Sequence, residues 1–220
     1  MDKVSKAKEE SAPEAQVTVK TKSSFREYVE AIGMALLLAL FIRTFFIQAF
    51  KIPSGSMIPT LLIGDHILVN KLSYGLRIPF WEKYLVEFKK PQRGDVIVFV
   101  FPEDRSKDFI KRVIGVAGDT VEVRGKRVYI NGQRVEDPHA HYEIEDGQAG
   151  LPTMRDDYGP RQVPENHVFV MGDNRDKSYD SRFWGFVNLD DVRGKSLLIY
   201  WSWDGSDRWV RWERIGKLID

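Results

Sequence analysis

Apolar positions crowd one short stretch near the N-terminus. Residues 31–42 (AIGMALLLALFI) are unbroken apolar or glycine, and Phe45, Phe46 and Ile47 follow after Arg43 and Thr44. As a helix that run alone reaches about 18 Å, whereas residues 28–47 reach about 30 Å, the hydrocarbon thickness of a bilayer. Glu30 and Arg43 lie close enough to the ends to carry their charges outward. The pattern predicts one membrane-spanning helix over residues 28–47. A buried core helix, or a cleaved signal peptide ending near Ile47-Gln48-Ala49, is the alternative. Lys8, Lys20, Lys22 and Arg26 precede the span and only Lys51 closely follows it, so cation bias keeps the N-terminus in the cytoplasm. Residues 1–27 have almost no large apolar side chain before Phe25 and read as a solvated tail.

Past the span the period changes. Runs rich in β-branched and aromatic residues recur between turn signals at 66–69, 96–101, 109–116, 120–123, 168–171 and 197–201. Asn131-Gly132 between 127–130 and 133–135 is a hairpin signal, because that dipeptide accepts the positive φ values of a tight turn. No long helical period competes. The expectation is a mostly β, antiparallel extracytoplasmic domain over residues 48–220. Residues 136–163 are polar, contain Gly and Pro and lack alternation; they read as a long loop or part of a small subdomain inserted at about 120–165. Trp201, Trp203, Trp209 and Trp212 crowd the tail, where core packing or contact with a bilayer interface are both open.

Composition narrows the chemistry. The 220 residues carry 33 Lys+Arg against 32 Asp+Glu, a formal net charge of +1, which argues against a nucleic-acid partner because gripping phosphates needs an excess of cations. With no cysteine, disulfides, Cys-ligated metals and thiol nucleophiles are excluded. Nothing calls for a cofactor or metal: His139 and His141, beside Glu136, Asp137 and Asp146, are explained as members of an exposed loop. His66 opens one strand and His167 precedes another, and no G-x-S-x-G elbow is present.

A different pairing is available. Ser54 and Ser56 follow the span closely, and Lys111 lies in a strand-like apolar run. Taken singly, these are a flexible turn and a strand with solvated cations. Alternation sends Lys111 and Arg112 to opposite faces, so one of them meets the interior or a cleft.

Residues 52–61 (IPSGSMIPTL), 64–71 (GDHILVNK), 110–119 (IKRVIGVAGD) and 172–182 (GDNRDKSYDSR) resemble, in order, the signature boxes of bacterial type I signal peptidases. The resemblance runs from about residue 43 to 187, with a weaker echo at 211–218. It implies a signal-peptidase-like β domain behind one N-terminal membrane helix. By the same resemblance Ser56 is the nucleophile, Lys111 the general base, Ser54 with the Ser56 amide the oxyanion hole, and Ser178 the residue orienting the lysine. Arg112 with Asp173, and Asp180 with Arg182, become supporting pairs. Ile52, Met57, Phe109 and Ile110 are expected around shallow pockets for Ala-sized side chains. The implied reaction is cleavage of exported preproteins after a small-x-small motif at the bacterial cytoplasmic membrane, with the secretion machinery nearby. Lys177 departs from the Asn common among relatives.

A base must be neutral, and free lysine, with a pKa of about 10.4, is almost wholly charged at pH 7. Burial can lower that value by up to about 3–5 units. Phe109, on the same strand face as Lys111, supplies apolar surface to that end. The distance from Ile47 to Ser56 is at most about 30 Å even fully extended, which keeps the nucleophile near a bilayer. Two rivals remain: repressor-type self-cleavage, which lacks a DNA-binding segment here, and a tethered β domain that binds without catalysis.

Overall fold

The structure, a computed structural model, describes residues 24–77, 84–143 and 155–220. The tail before Ser24, and residues 144–154 of the polar insert, including Asp146, lie outside the described residues. Helix α1 spans Ser24–Phe45, starting and ending earlier than the apolar pattern suggests. Its end is set by pairing: Ile47 opposite Asn70 already begins a strand. The chain divides into two compact units between Ala39 and Leu40, and the second, Leu40–Asp220, takes in the last turns of α1 and every strand among the described residues.

The strands are β1 (Ile47–Lys51), β2 (Asp65–Asn70), β3 (Gly75–Arg77), β4 (Tyr84–Glu87), β5 (Val96–Val100), β6 (Asp108–Val116) and β7 (Thr120–Arg124). They continue as β8 (Arg127–Ile130), β9 (Gln133–Arg134), β10 (Tyr158–Gln162), β11 (His167–Met171), β12 (Val187–Asn188), β13 (Val192–Asp204) and β14 (Trp209–Val210). One short helix, α2 (Ser181–Trp184), follows β11. An eight-stranded sheet has the order β1-β2-β13-β5-β6-β11-β12, with β14 on β13; β10-β7-β8-β9 form a second sheet and β3-β4 a hairpin. Each pairing is antiparallel, so the mostly β, antiparallel expectation is met. Asn131 and Gly132 turn the β8–β9 hairpin at φ 53° and 79°.

Alternation explains how one sheet serves two cores. In β5, Val96 and Val98 join Ile52, Met57, Leu61 and Ile67 on one face, while Ile97 and Phe99 join Val113, Val168 and Val170 on the other. In β11 the period-two rule repeats: Phe169 and Met171 turn away from Val168 and Val170 to pack with Val121, Val123, Val128 and Ile130 of the small sheet. The central strands read as continuous apolar runs because both faces are covered. The tail tryptophans resolve against core packing: Trp201, Trp203, Trp209 and Trp212 are all exposed.

Candidate active site

Ser56 lies in the loop between β1 and β2. The loop's mouth is closed by Ile52 N donating to Asp65 O (2.8 Å) and Gly64 N to Ile52 O (3.0 Å). Met57 and Leu61, one helical turn apart and linked by Leu61 N to Met57 O (2.8 Å), point together into the core and are fully buried. The serine is thereby presented from a fixed platform. Three further ties hold it: Asn174 N donates to Ser56 O (3.1 Å), Thr60 Oγ1 to Asp173 Oδ2 (2.6 Å), and Arg214 Nη2 to Thr60 O (2.9 Å).

Lys111 comes from β6, paired with Ile97 of β5. Its Nζ lies 2.9 Å from Ser56 Oγ and donates to Ile110 O, also at 2.9 Å. The Phe109 ring centroid is 5.3 Å from the amine, and that ring stacks on Phe101 at 4.2 Å. Lys111 is only 4% exposed. Burial lowers its pKa to about 8, and the negative charges of Asp180 and Asp173 partly oppose the fall. Ser54 Oγ stands 3.5 Å from Ser56 Oγ, on the exposed side of the loop.

Both charges of the Lys111-Arg112 pair are buried, where alternation required only one to be. Arg112 leaves the other face of the strand into a pocket built for it. Its Nε and Nη2 each donate to Asp173 at 2.8 Å, and Nη1 donates to Gly94 O at 2.8 Å and to Asp220 O. Such bidentate geometry returns much of the desolvation cost. Asp180 and Arg182 form a second buried pair, with both guanidinium contacts at 2.9 Å. Burial pushes the Asp180 carboxyl up, but the Arg182 charge and the Arg182, Ser178 and Gly172 contacts outweigh it and hold the group below the ordinary carboxylate range. Neither pair is a surface ion pair.

Ser178 is buried; its Oγ approaches Asp180 but has no hydrogen-bond partner of ordinary geometry among the described residues. Gly172 explains how these parts fit. A Cβ there would meet Ser178 Oγ at 2.3 Å and Ser56 O at 2.4 Å, so only glycine lets the two serine segments approach. Of the four expected pocket residues, Ile52 and Met57 are buried in the core and Ile110 packs partly buried against them; Phe109 sits partly buried on the opposite face. Lys177 turns outward and pairs with Glu143, so its charge is spent away from the amine.

Thr60, Asn174, Gly172 and Arg214 are ties that residue-by-residue reading missed. Arg214 is buried against Asp65, with Nη2 2.6 Å from Oδ2, and its only sequence signal was the weak echo at 211–218. Volume is no guide to the site here. A cleft of about 770 Å³ lined by Lys126, Arg127, Val135 and Arg175, among others, includes neither Ser56 nor Lys111; the serine–lysine contact is the better marker, because it joins complementary chemistry at bonding distance.

Residues 25–201 match the family described as signal peptidase, peptidase S26. The chain is 39% identical over 208 residues to signal peptidase I of Pseudomonas fluorescens, with 80% of this chain and 72% of that one covered. It is 40% identical over 190 residues to signal peptidase I of Leptolyngbya laminosa, with 83% and 82% covered. A crystal structure of a signal peptidase I from Enterococcus faecalis V583 matches at 35% identity and a TM-score of 0.40, over 50% of this chain and 98% of that one. The chain belongs to the signal peptidase family. It is accordingly a proteolytic enzyme, and the resemblance carried by the four sequence boxes is borne out.

Proposed function

We propose that this chain is a membrane-anchored serine endopeptidase that removes signal peptides from exported preproteins by a Ser56/Lys111 acyl-enzyme mechanism, cutting after a small-x-small motif. The observation that carries the reading is the 2.9 Å contact between a buried amine and the hydroxyl of Ser56. With its proton gone, the Lys111 nitrogen accepts the Ser56 hydroxyl proton across that contact as Oγ attacks the scissile carbonyl carbon. The Ser54 hydroxyl and the Ser56 amide stabilise the oxyanion. Lys111 then passes the proton to the departing amine, the peptide C–N bond breaks, and water hydrolyses the ester to free Ser56. Ser178, whose buried hydroxyl lies beside Asp180, steadies the amine while it changes partners.

Substrate enters as an added strand. Pairing of β11 with β6 ends at Met171 opposite Arg112, so residues 108–111 of β6 extend beyond β11 and offer an edge along which an extended peptide would lie. Of the four expected pocket residues, Ile110, packed over the buried Ile52 and Met57, and Phe109, partly buried on the other face, remain open to substrate and would limit the flanking side chains to small ones. Helix α1 anchors the enzyme in the bacterial cytoplasmic membrane as a single pass, with its N-terminus cytoplasmic, residues 1–27 as a cytoplasmic tail, and the domain from residue 48 onward outside, beside the secretion machinery and the lipid surface. The small sheet β7–β10 is the part of the chain we assign to the inserted subdomain of about 120–165.

The test is processing of a purified preprotein followed by mass spectrometry of the products. Ser56→Ala and Lys111→Ala should each abolish cleavage while leaving the fold intact; normal turnover by either variant removes the dyad.

A further inference from the structure

The strands β5 and β6 carry a row of rings that starts at the Lys111 amine. Ile97 lies opposite Lys111 and Phe99 opposite Phe109, and directly opposed side chains share one face of a sheet. Phe101, two residues past Phe99, falls on that face as well, its main-chain N donating to Lys107 O across the β5–β6 turn at 2.9 Å. The Phe109 ring centroid lies 5.3 Å from the amine, and Phe101 stacks on its other side with the two planes 7° apart. Tyr179, next to Ser178 in the chain, meets Phe101 edge-on at 6.2 Å and leans on Phe183 at 5.2 Å. The row ends in a tie back to the turn: Tyr179 Oη donates to Glu103 Oε2 at 2.9 Å.

Exposure rises along the row. Lys111 and Phe101 are buried, Phe109 is partly buried, and Tyr179 is 47% exposed. Tyr179 is thus the outer member, with water on one side and the stack on the other. The Phe101–Phe109 pair is held at its ends only by strand pairing and by this ring, because stacked and edge-on aromatic contacts are individually weak. The charged groups that act on the amine are Asp180 and Asp173, and both raise its affinity for a proton. Exclusion of water works the other way, so whatever keeps the stack shut favours the neutral base. The tie to Glu103 pushes the Tyr179 phenol above its ordinary value, so the ring stays neutral over the range in which Lys111 titrates.

We propose that Tyr179 is a positioning residue: held in place by Glu103, its ring closes the Phe101–Phe109 stack over the Lys111 amine and keeps water from it. The proposal rests on the Ser56/Lys111 reading above and adds to it a residue that takes no part in bond breaking. Its bland alternative is a surface tyrosine that only covers apolar area. The two differ in what the loss of the ring does to the amine, since cover alone affects stability and leaves the base as it was.

The experiment measures kcat/KM against pH for the full chain in detergent, with a soluble Ala-x-Ala peptide as substrate. Tyr179→Ala should move the bend of the profile up by about one unit from about 8, which lowers kcat/KM about tenfold at pH 7 and leaves it within about twofold of the parent at pH 10. Tyr179→Phe, which keeps the ring, should restore most of the loss. A loss equal at every pH, or no loss at all, would overturn the proposal. Freed Glu103 is itself a charge that could raise the proton affinity of the amine, so Tyr179→Ala/Glu103→Gln is included: the bend must rise as far there, and a shift that vanishes assigns the effect to the carboxylate and sinks the ring. A second readout needs no turnover. The ¹³Cε signal of Lys111 in lysine-labelled protein, identified by its loss in Lys111→Met, should titrate near 8 in the parent and about one unit higher in Tyr179→Ala; equal midpoints also overturn the proposal. Persistent cleavage by a Ser56→Ala control would count against the dyad, leaving the carbon titration to judge Tyr179.

Discussion

Keeping the amine of Lys111 dry costs folding stability. Its pKa is about 8 in the fold against an ordinary 10.5, so the unfolded chain binds this proton more tightly than the native one. The penalty is complete below about pH 8, shrinks as the pH rises from there, and is gone by about 10.5, where both states are neutral. Replacing Lys111 with Met should therefore stabilise the protein at pH 7 by roughly 1–3 kcal/mol, after allowance for the lost hydrogen bonds to Ser56 and Ile110. Denaturant unfolding at pH 7 and pH 10 checks the sign: the advantage must fade at the higher pH. Under the proposed mechanism the same group sets the rate. Below about pH 8 kcat/KM should rise about tenfold per pH unit, then level off, because kcat/KM reports the base in the free enzyme. A limb that bends instead near pH 10.5 would mean that the amine is solvated.

Between residues and molecule stand the segments that bring distant positions together. Gly172 at the end of β11 allows the Ser178 segment to lie against the Ser56 loop, and Gly172→Ala would drive a methyl into Ser178 Oγ and Ser56 O. Overpacking of this kind costs about 1–3 kcal/mol, and the displaced serine should lower kcat about 10²-fold. Circular dichroism and kcat measured on the same preparation test this; unchanged kcat in a folded variant would show that the close approach has no catalytic consequence. None of this crowding is visible in sequence, where Gly172 is one of 17 glycines. The strands were legible where burial imposes a pattern. β5, β6, β11 and the β8–β9 hairpin follow apolar runs or a turn dipeptide. β10 (YGPRQ) was not legible as a strand, because four of its five residues are exposed and it carries Gly and Pro. β1 was hidden for another reason: Ile47 extended the apolar run before it, and only pairing with β2 shows where the helix stops. The site was legible through resemblance alone. Ser56 and Lys111 are 55 residues apart and Arg214 is 149 from Asp65, separations at which a solitary charge gives no sign that it will be buried.

For the whole molecule, helix α1 presents an apolar surface that lipid would cover under the proposed function. Phe25–Phe45 is long and apolar enough to cross a bilayer, and its apolar window contains no buried residue; at about 1.5 Å per residue it extends about 32 Å. Ile32, Leu36, Leu37, Leu38, Leu40 and Phe41 are each at least 53% exposed. A contiguous stripe of that size in water is an association surface, whereas in hydrocarbon each buried methylene contributes about 0.8 kcal/mol. A core helix would show the reverse, with its apolar side chains under other elements. The catalytic machinery described here is drawn entirely from residues 52–220, and its ties run among those residues. Removing residues 1–39 should therefore release the protein from lipid without ending its chemistry. In vesicle flotation the full chain should rise with lipid and resist extraction by high salt, because its attachment is apolar. The shortened chain should bind far more weakly while still cleaving a soluble Ala-x-Ala peptide in a Ser56-dependent way. If the full chain washes off in salt, the apolar helix is not its anchor; if the shortened chain folds but cannot cleave the peptide, the site depends on residues 1–39 in a way its hydrogen bonds do not reveal.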